Sequence, residues 1–200
     1  MARGWLLAIS MIWLVFPSAS VGAQERDAHR IEIDDPPAPV GGAMINQAGQ
    51  NGATLRAVRV SEPIEIDGVL NEPFYRNVPS INEFVQAIPI EDGVPTELTE
   101  AWIGFDDDNV YVSARIWDSA GPDGWIANEM RRDAAQLRSN DHFGVFFDTF
   151  YDRRNAVAFS GNSIGGFTDF QMTNEGNPNM DWNPVWETRS ALFEGGWSIE

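Results

Sequence analysis

Hydrophobic and polar positions alternate with a period of two along most of the second half of this chain. "TEAWIGF" (residues 99–105) and "VYVSARIWD" (110–118) flank the polar stretch "DDDN". Two alternating runs around a short polar turn predict a β-hairpin. "HFGVFFDTF" (142–150) and "NAVAFSGNS" (155–163) flank "YDRR" and predict a second one. "NEFVQAI", "GGFTDFQM", "VWETRSALF" and "GWSIE" read as further short strands, while "WIANEMRRDAAQL" (125–137) fits helix and strand equally. Many short strands without alternating helices predict an all-β fold, an antiparallel β-sandwich or jelly roll with short helical turns.

The stretch before these hairpins, "IEIDGVLNEPFY" (64–75), has its own logic. Ile64 and Ile66 alternate with Glu65 and Asp67, as in a half-buried strand. Asp67-Gly68 then breaks the strand with turn chemistry. Asn71 is placed to cap a short helix whose first turn holds Glu72 and Pro73, with Phe74 and Tyr75 as its apolar face.

Alternation also sorts faces. In the first hairpin Ala101, Ile103 and Phe105, with Val110, Val112, Ala114 and Ile116, form the expected core face. The opposite face carries Trp102, Tyr111, Ser113, Arg115 and Trp117. Aromatics interleaved with an arginine and a hydroxyl make either a ligand platform or a second packing layer under a loop. In the next strand Phe143, Val145 and Phe147 point inward, and His142, Gly144, Phe146 and Asp148 outward.

Composition narrows the setting. Arg3, the apolar run from Trp5 to Phe16 and the small residues ending at Ala23 have the layout of a secretory signal peptide, residues 1–23. The apolar run is too short to span a bilayer stably. Residues 24–55, rich in Pro, Gly, Ala and polar side chains, read as a flexible linker, and 56–200 as the folded domain. There is no cysteine, hence no disulfide framework and no thiolate zinc site. Without Arg3 the chain has 13 − 1 = 12 basic residues against 30 acidic ones, a formal charge of −18. Such a surface disfavours nucleic acid and anionic lipid and suits neutral ligands, cations or basic partners, besides keeping an exported protein soluble.

The acidic clusters hold the residue types of metal or catalytic sites. "DDDN" at Asp106–Asn109 lacks the alternating ligand spacing and the glycine of a calcium loop; it reads as a solvated hairpin tip, with calcium as the second reading. His142, between Asp141 and Asp148, reads as a surface histidine before a metal ligand. No HExxH, GxSxG, GxGxxG or phosphate-loop pattern occurs. "MDWNPVWE" (180–187) is the most suggestive stretch: Trp182 and Trp186 straddle an Asn183-Pro184 turn, so the two rings either flank a cleft or plug the end of the sandwich.

Taken in order, "IEIDGVLNEPFY", "EAWIGFDDDNVYVSARIWD", "NDHFGVFFDTFYDRR", "DWNPVWETR" and "GGWSIE" resemble the family-nine carbohydrate-binding module. They are most similar to its divergent branch at the amino terminus of Gram-negative envelope proteins that continue into an outer-membrane β-barrel. The resemblance covers about residues 56–200. It implies that Asp67, Gly68 and Glu72 are scaffold. Tyr75 stands where the family usually has tryptophan, and Gly144 where its sugar-binding members carry glutamate.

The expectation is therefore a non-catalytic carbohydrate-binding module of an exported envelope protein, in the periplasm, outer membrane or extracellular space. The expected contacts to a neutral oligo- or polysaccharide are Trp102, Arg115, Trp117, Asp141, Trp182 and Trp186. The alternative is a structural or docking domain of an outer-membrane barrel protein that no longer binds sugar. "GGWSIE" reads as a strand broken off at Glu200, which makes the chain a fragment. Any glycosidase activity serving polysaccharide breakdown would then belong to a downstream domain.

Overall fold

The protein is seen in a computed structural model that describes the backbone of residues 45–46 and 53–54 and all of residues 55–200. The leader expected over 1–23 and most of the linker expected over 24–55 lie outside the described residues. Within that linker β1 (Ile45–Asn46) and β2 (Ala53–Thr54) pair antiparallel.

Eight further strands follow: β3 (Val58–Arg59), β4 (Thr99–Phe105), β5 (Val110–Trp117), β6 (His142–Phe147), β7 (Ala156–Asn162), β8 (Phe167–Met172), β9 (Ser190–Phe193) and β10 (Gly196–Ile199). They form two sheets, one ordered β3-β4-β5-β10-β9 and the other β6-β7-β8. The fold is an all-β sandwich, with one short helix, α1 (Pro73–Asn77), and a 3-10 turn over Ala135–Ser139. All strand pairs are antiparallel except β3 with β4. A jelly-roll winding is not established by this order, since β6, β7 and β8 form a plain meander.

Both expected hairpins are present, and their turns are built from carboxylates. Between β4 and β5 the Asp106 Oδ1 accepts the Asp108 and Asn109 amides at 2.8 and 2.7 Å, and Oδ2 accepts the Tyr111 hydroxyl at 2.7 Å. That hydroxyl, and then the amides, hold the Asp106 carboxyl down at about 2. Between β6 and β7, Asp148 accepts the Phe150, Asp152 and Arg153 amides. An acid placed first in each turn thus satisfies the backbone donors that a tight reversal leaves open.

Three expected elements differ. Residues 64–66 alternate in burial but pair with no strand: the segment runs across the face of the first sheet instead of joining its edge. "NEFVQAI" makes only a single bridge, Gln86 with Gly93, and Ile81 just before it makes another with Ala101. "VWETRSALF" is a strand only from Ser190; Arg189 exchanges both backbone hydrogen bonds with Glu200, while residues 185–188 keep the alternation without a ladder partner. Period-two burial reports a chain lying on an apolar surface, and hydrogen bonding to a neighbour is a separate requirement. The helix is capped at Glu72, one residue later than expected, and the Glu72 carboxylate turns back to the Glu65 and Asn71 amides at 3.2 Å.

The core has two parts, one on each side of the first sheet. Ala101, Ala114, Trp197 and Ile199 face the second sheet, with Phe143 of β6 packed against them. On the opposite side Val60, Ile64, Leu70, Phe74 and Tyr75 gather around Trp102. Gly68 is essential to this second layer. Its φ is +86°, and a Cβ there would fall 2.7 Å from the Ser190 carbonyl carbon, so the turn is pressed against the backbone of β9.

Candidate binding site

The outer face of the first hairpin is interior. Trp102 is only 3% exposed; its indole N–H donates to the Val78 carbonyl at 2.9 Å, and Tyr75 meets its ring edge-on at 5.5 Å. Arg115 lies 5.2 Å over that indole and donates to the Leu70 carbonyl at 2.6 Å. Trp117 is half-buried against Phe193, with ring centroids 5.5 Å apart. Residues 58–78 thus roof Trp102 and Arg115, and the arginine clamps that roof, while Trp117 lies against Phe193 instead. Alternation identified the right residues for this face. It could not show that a segment some thirty to fifty positions earlier would cover them.

Asp141 also works within the chain. Its carboxylate accepts the Ile126 amide at 2.7 Å while its own amide donates to the Ile126 carbonyl at 2.8 Å. Next to it Asn140 Oδ1 accepts from the Asn128 and Glu129 amides and from Asn162 Nδ2, all within 3.1 Å. Asn162 Nδ2 also donates to the Glu129 carbonyl at 2.7 Å. This buried amide network fixes the ambiguous 125–137 stretch as an irregular loop that ends in the 3-10 turn from Ala135. His142 is exposed, with Nδ1 2.7 Å from the Asn140 carbonyl.

Trp182 and Trp186 do come together. Both pack edge-on to Phe159, at 5.8 and 5.0 Å, and Trp186 also meets Phe167 at 5.3 Å. Beneath them lies Asp169, fully buried on the inner face of β8 opposite Phe159. Its Oδ2 accepts the Trp186 indole N–H at 3.0 Å and Arg132 Nη2 at 2.6 Å. The same Arg132 nitrogen donates to Asn183 Oδ1 at 2.5 Å, and Asp133 pairs with Arg132 Nε at 3.1 Å. Asp169 Oδ1 is buried without a partner among the described residues. Asn183 is exposed, Trp182 is half-buried and the Arg132 side chain keeps 38% of its surface.

Sequence reading missed Arg132 and Asp169. Arg132 lay in the stretch without a clear period. For Asp169 the signal was present: "FTDFQM" alternates so that Phe167, Asp169 and Gln171 share one face. A carboxylate on an apolar face calls for a buried cationic partner.

The second sheet meets the first at one end only. A Cβ on Gly161 would fall 2.6 Å from Ile199 Cδ1, so the layers touch there. Toward the other end they part, leaving a cleft of about 700 Å³. Burial along the inner face of β5 records the wedge: Ala114 is 0% exposed, Val112 is half-buried and Val110 is 63% exposed. On the second sheet the cleft's apolar wall is Phe143, Val145, Phe147 and Phe159, with Trp186 at its side, and Ile64, Ile66, Val110 and Val112 line it elsewhere; among the described residues Asp108, Glu187 and Glu200 also border it and no arginine does.

Glu200 closes the inner end. Its Oε2 accepts the Asp67 and Gly68 amides at 3.1 and 2.9 Å, and Oε1 accepts the Tyr75 hydroxyl at 2.7 Å. Tyr75 Oη is also 2.8 Å from Ser113 Oγ. Burial pushes the Tyr75 hydroxyl up, and also the Glu200 carboxyl. The Asp-Gly turn and Tyr75 therefore hold a carboxylate 125 to 133 positions away, which gives the opening motif its scaffold role.

Comparison with known proteins gives no match to a family model, to a curated protein or to a solved structure.

Proposed function

We propose that the chain is a non-catalytic binding module of carbohydrate-binding type, part of an exported envelope protein, and that it takes a neutral saccharide at Trp182, Asn183 and Arg132. The observation that carries this reading is the convergence of an indole, a carboxamide and a guanidinium at the rim of the second sheet. An indole suits the C–H face of a pyranose, while the carboxamide and guanidinium are matched to its hydroxyls. The strong negative charge favours an uncharged ligand. The five ordered motifs similar to the family-nine module support the same class, and the leader-like first 23 residues support export. Titration with xylo- and cello-oligosaccharides tests the reading: tryptophan fluorescence changes with saturation, and Trp182→Ala or Arg132→Ala removes the change. No response to any neutral glycan would sink it.

A second reading has its own observation. The apolar wedge between the sheets, together with Gly144 in place of the family's glutamate, favours a structural or docking domain of an outer-membrane barrel protein. A crosslink from position 117 to a barrel segment in the intact envelope protein would support this reading, and free tumbling of the domain there would reject it.

A further inference from the structure

β6 is an edge strand whose inner side chains border an unfilled space. In the order β6-β7-β8 it pairs with β7 alone, so among the described residues one of its backbone edges has no strand beside it. Edge strands in soluble proteins are ordinarily blunted by charge, proline, shortness or a covering segment. "HFGVFF" has no aspartate, glutamate, lysine, arginine or proline, its one titratable residue is His142 at the first position, and it is six residues long. The other edges are managed. β3 has two residues, β8 is bridged by Asn179, and the turn at Gly68 lies against the backbone of β9. On β6, Phe146 is 63% exposed on the outer face, while Phe143, Val145 and Phe147 reach into the cleft.

From this juxtaposition we propose that β6 is a strand-pairing surface: its free edge takes an extended segment of another polypeptide that continues the β6-β7-β8 sheet. The chemistry of the partner follows from the walls. Backbone donors and acceptors along the edge require an extended chain with unblocked amides. The period of two sends every second side chain of that segment toward the apolar wedge, so these positions are aliphatic or aromatic. Of the bordering carboxylates, Glu187 already pairs with Arg189 at 2.9 Å and Glu200 is held by Tyr75 and the Asp67 and Gly68 amides, so the exposed Asp108 and the chain's formal charge of −17 favour arginine or lysine at the segment's ends. Residues 143–147 span roughly 13 Å of strand, enough for about three inward side chains. The proposal is independent of the saccharide reading, whose residues lie at Trp182 and Arg132.

The test uses the full chain, isotopically labelled, with amide exchange read at residues 142–147. The probe is the acetylated and amidated peptide Arg-Val-Thr-Val-Thr-Val-Arg; the control carries the same side chains with alternate backbone nitrogens methylated. Binding of the probe slows exchange at alternate β6 amides by tenfold or more on the order expected for new ladder bonds, changes Trp186 fluorescence and weakens with salt. The methylated control does neither. Three results overturn the proposal: no protection at millimolar probe, equal binding of the methylated control, or β6 amides already as protected as those of β7 in the free chain. A negative result here with a positive crosslink from position 117 would retain the docking reading and remove only this surface from it. Loss of the saccharide response would leave the β6 result untouched.

Discussion

Tyr75→Phe removes one oxygen and tests the account of how the opening motif is held. The hydroxyl has two partners, Ser113 Oγ at 2.8 Å and Glu200 Oε1 at 2.7 Å, and all three side chains are buried. A neutral hydrogen bond contributes about 1 kcal/mol and one to a charged group about 2 kcal/mol, so the loss with Glu200 ionised is about 3 kcal/mol. With Glu200 neutral it falls to about 2 kcal/mol, because both bonds are then neutral. The pH course follows from the upward shift that burial gives Glu200. A carboxyl raised in the folded state contributes stability that is fully present below its ordinary value of 4.5 and lost as pH rises through the folded value. The wild type therefore loses stability across that window. Because the Tyr75 bond pulls the carboxyl back down, Tyr75→Phe loses more, and the gap between the two widens with pH. Urea unfolding followed by tryptophan fluorescence from about pH 5 to about pH 8 measures this, and at the alkaline end the melting temperature should drop by roughly 6–12 °C. A double-mutant cycle with Glu200→Gln should show coupling of about 1 kcal/mol or more. A cost below about 0.5 kcal/mol, or one independent of pH, would refute the reasoning.

Other substitutions probe the remaining layers. Gly68→Ala places a methyl group at positive φ and against the β9 backbone, and should cost more than about 2 kcal/mol in the same unfolding assay, without changing the slope with urea. Trp186→Phe keeps the ring on Phe159 but leaves Asp169 with Arg132 alone, for a loss of about 1.5–3 kcal/mol; a melting temperature within error of wild type would rule out the indole bond. Asp106→Asn removes a carboxyl held at about 2, whose contribution is present above its ordinary 3.8 and lost as pH falls through about 2. The acid limb of a stability profile should accordingly flatten in that variant, and an unchanged limb would show that the Tyr111 bond does not stabilise the turn.

How much of this was legible from sequence depends on which physical signal each element emits. Hairpins announce themselves through alternation and an acid at the turn, and both appear where expected. The inward set Phe143, Val145 and Phe147 was equally readable. Alternation is silent about what covers a face: it offers Trp102 and Arg115 as ligand contacts, whereas Phe74 and Tyr75 pack over Trp102 and the Leu70 carbonyl takes the Arg115 guanidinium. For the candidate site, Trp182 and Trp186 were found by their spacing. Arg132 was not, since an irregular loop held by Asn140 and Asn162 has no period to detect. The role of Glu200 depends on a contact more than a hundred positions long, which no local pattern encodes.

That contact carries a cost in time. The Gly68 amide cannot meet Glu200 until 132 more residues have been made, and the Ser198 hydroxyl reaches the Gly68 carbonyl only from 130 positions away. At roughly 5–20 residues per second, synthesis leaves an interval of about 7–26 seconds in which the turn and Tyr75 exist without the carboxylate that secures them. During that interval the layer over Trp102 lacks its far anchor, and a chain with such long-range closures folds late. Lateness of this kind makes the layer over Trp102 the last part of the first sheet to be secured.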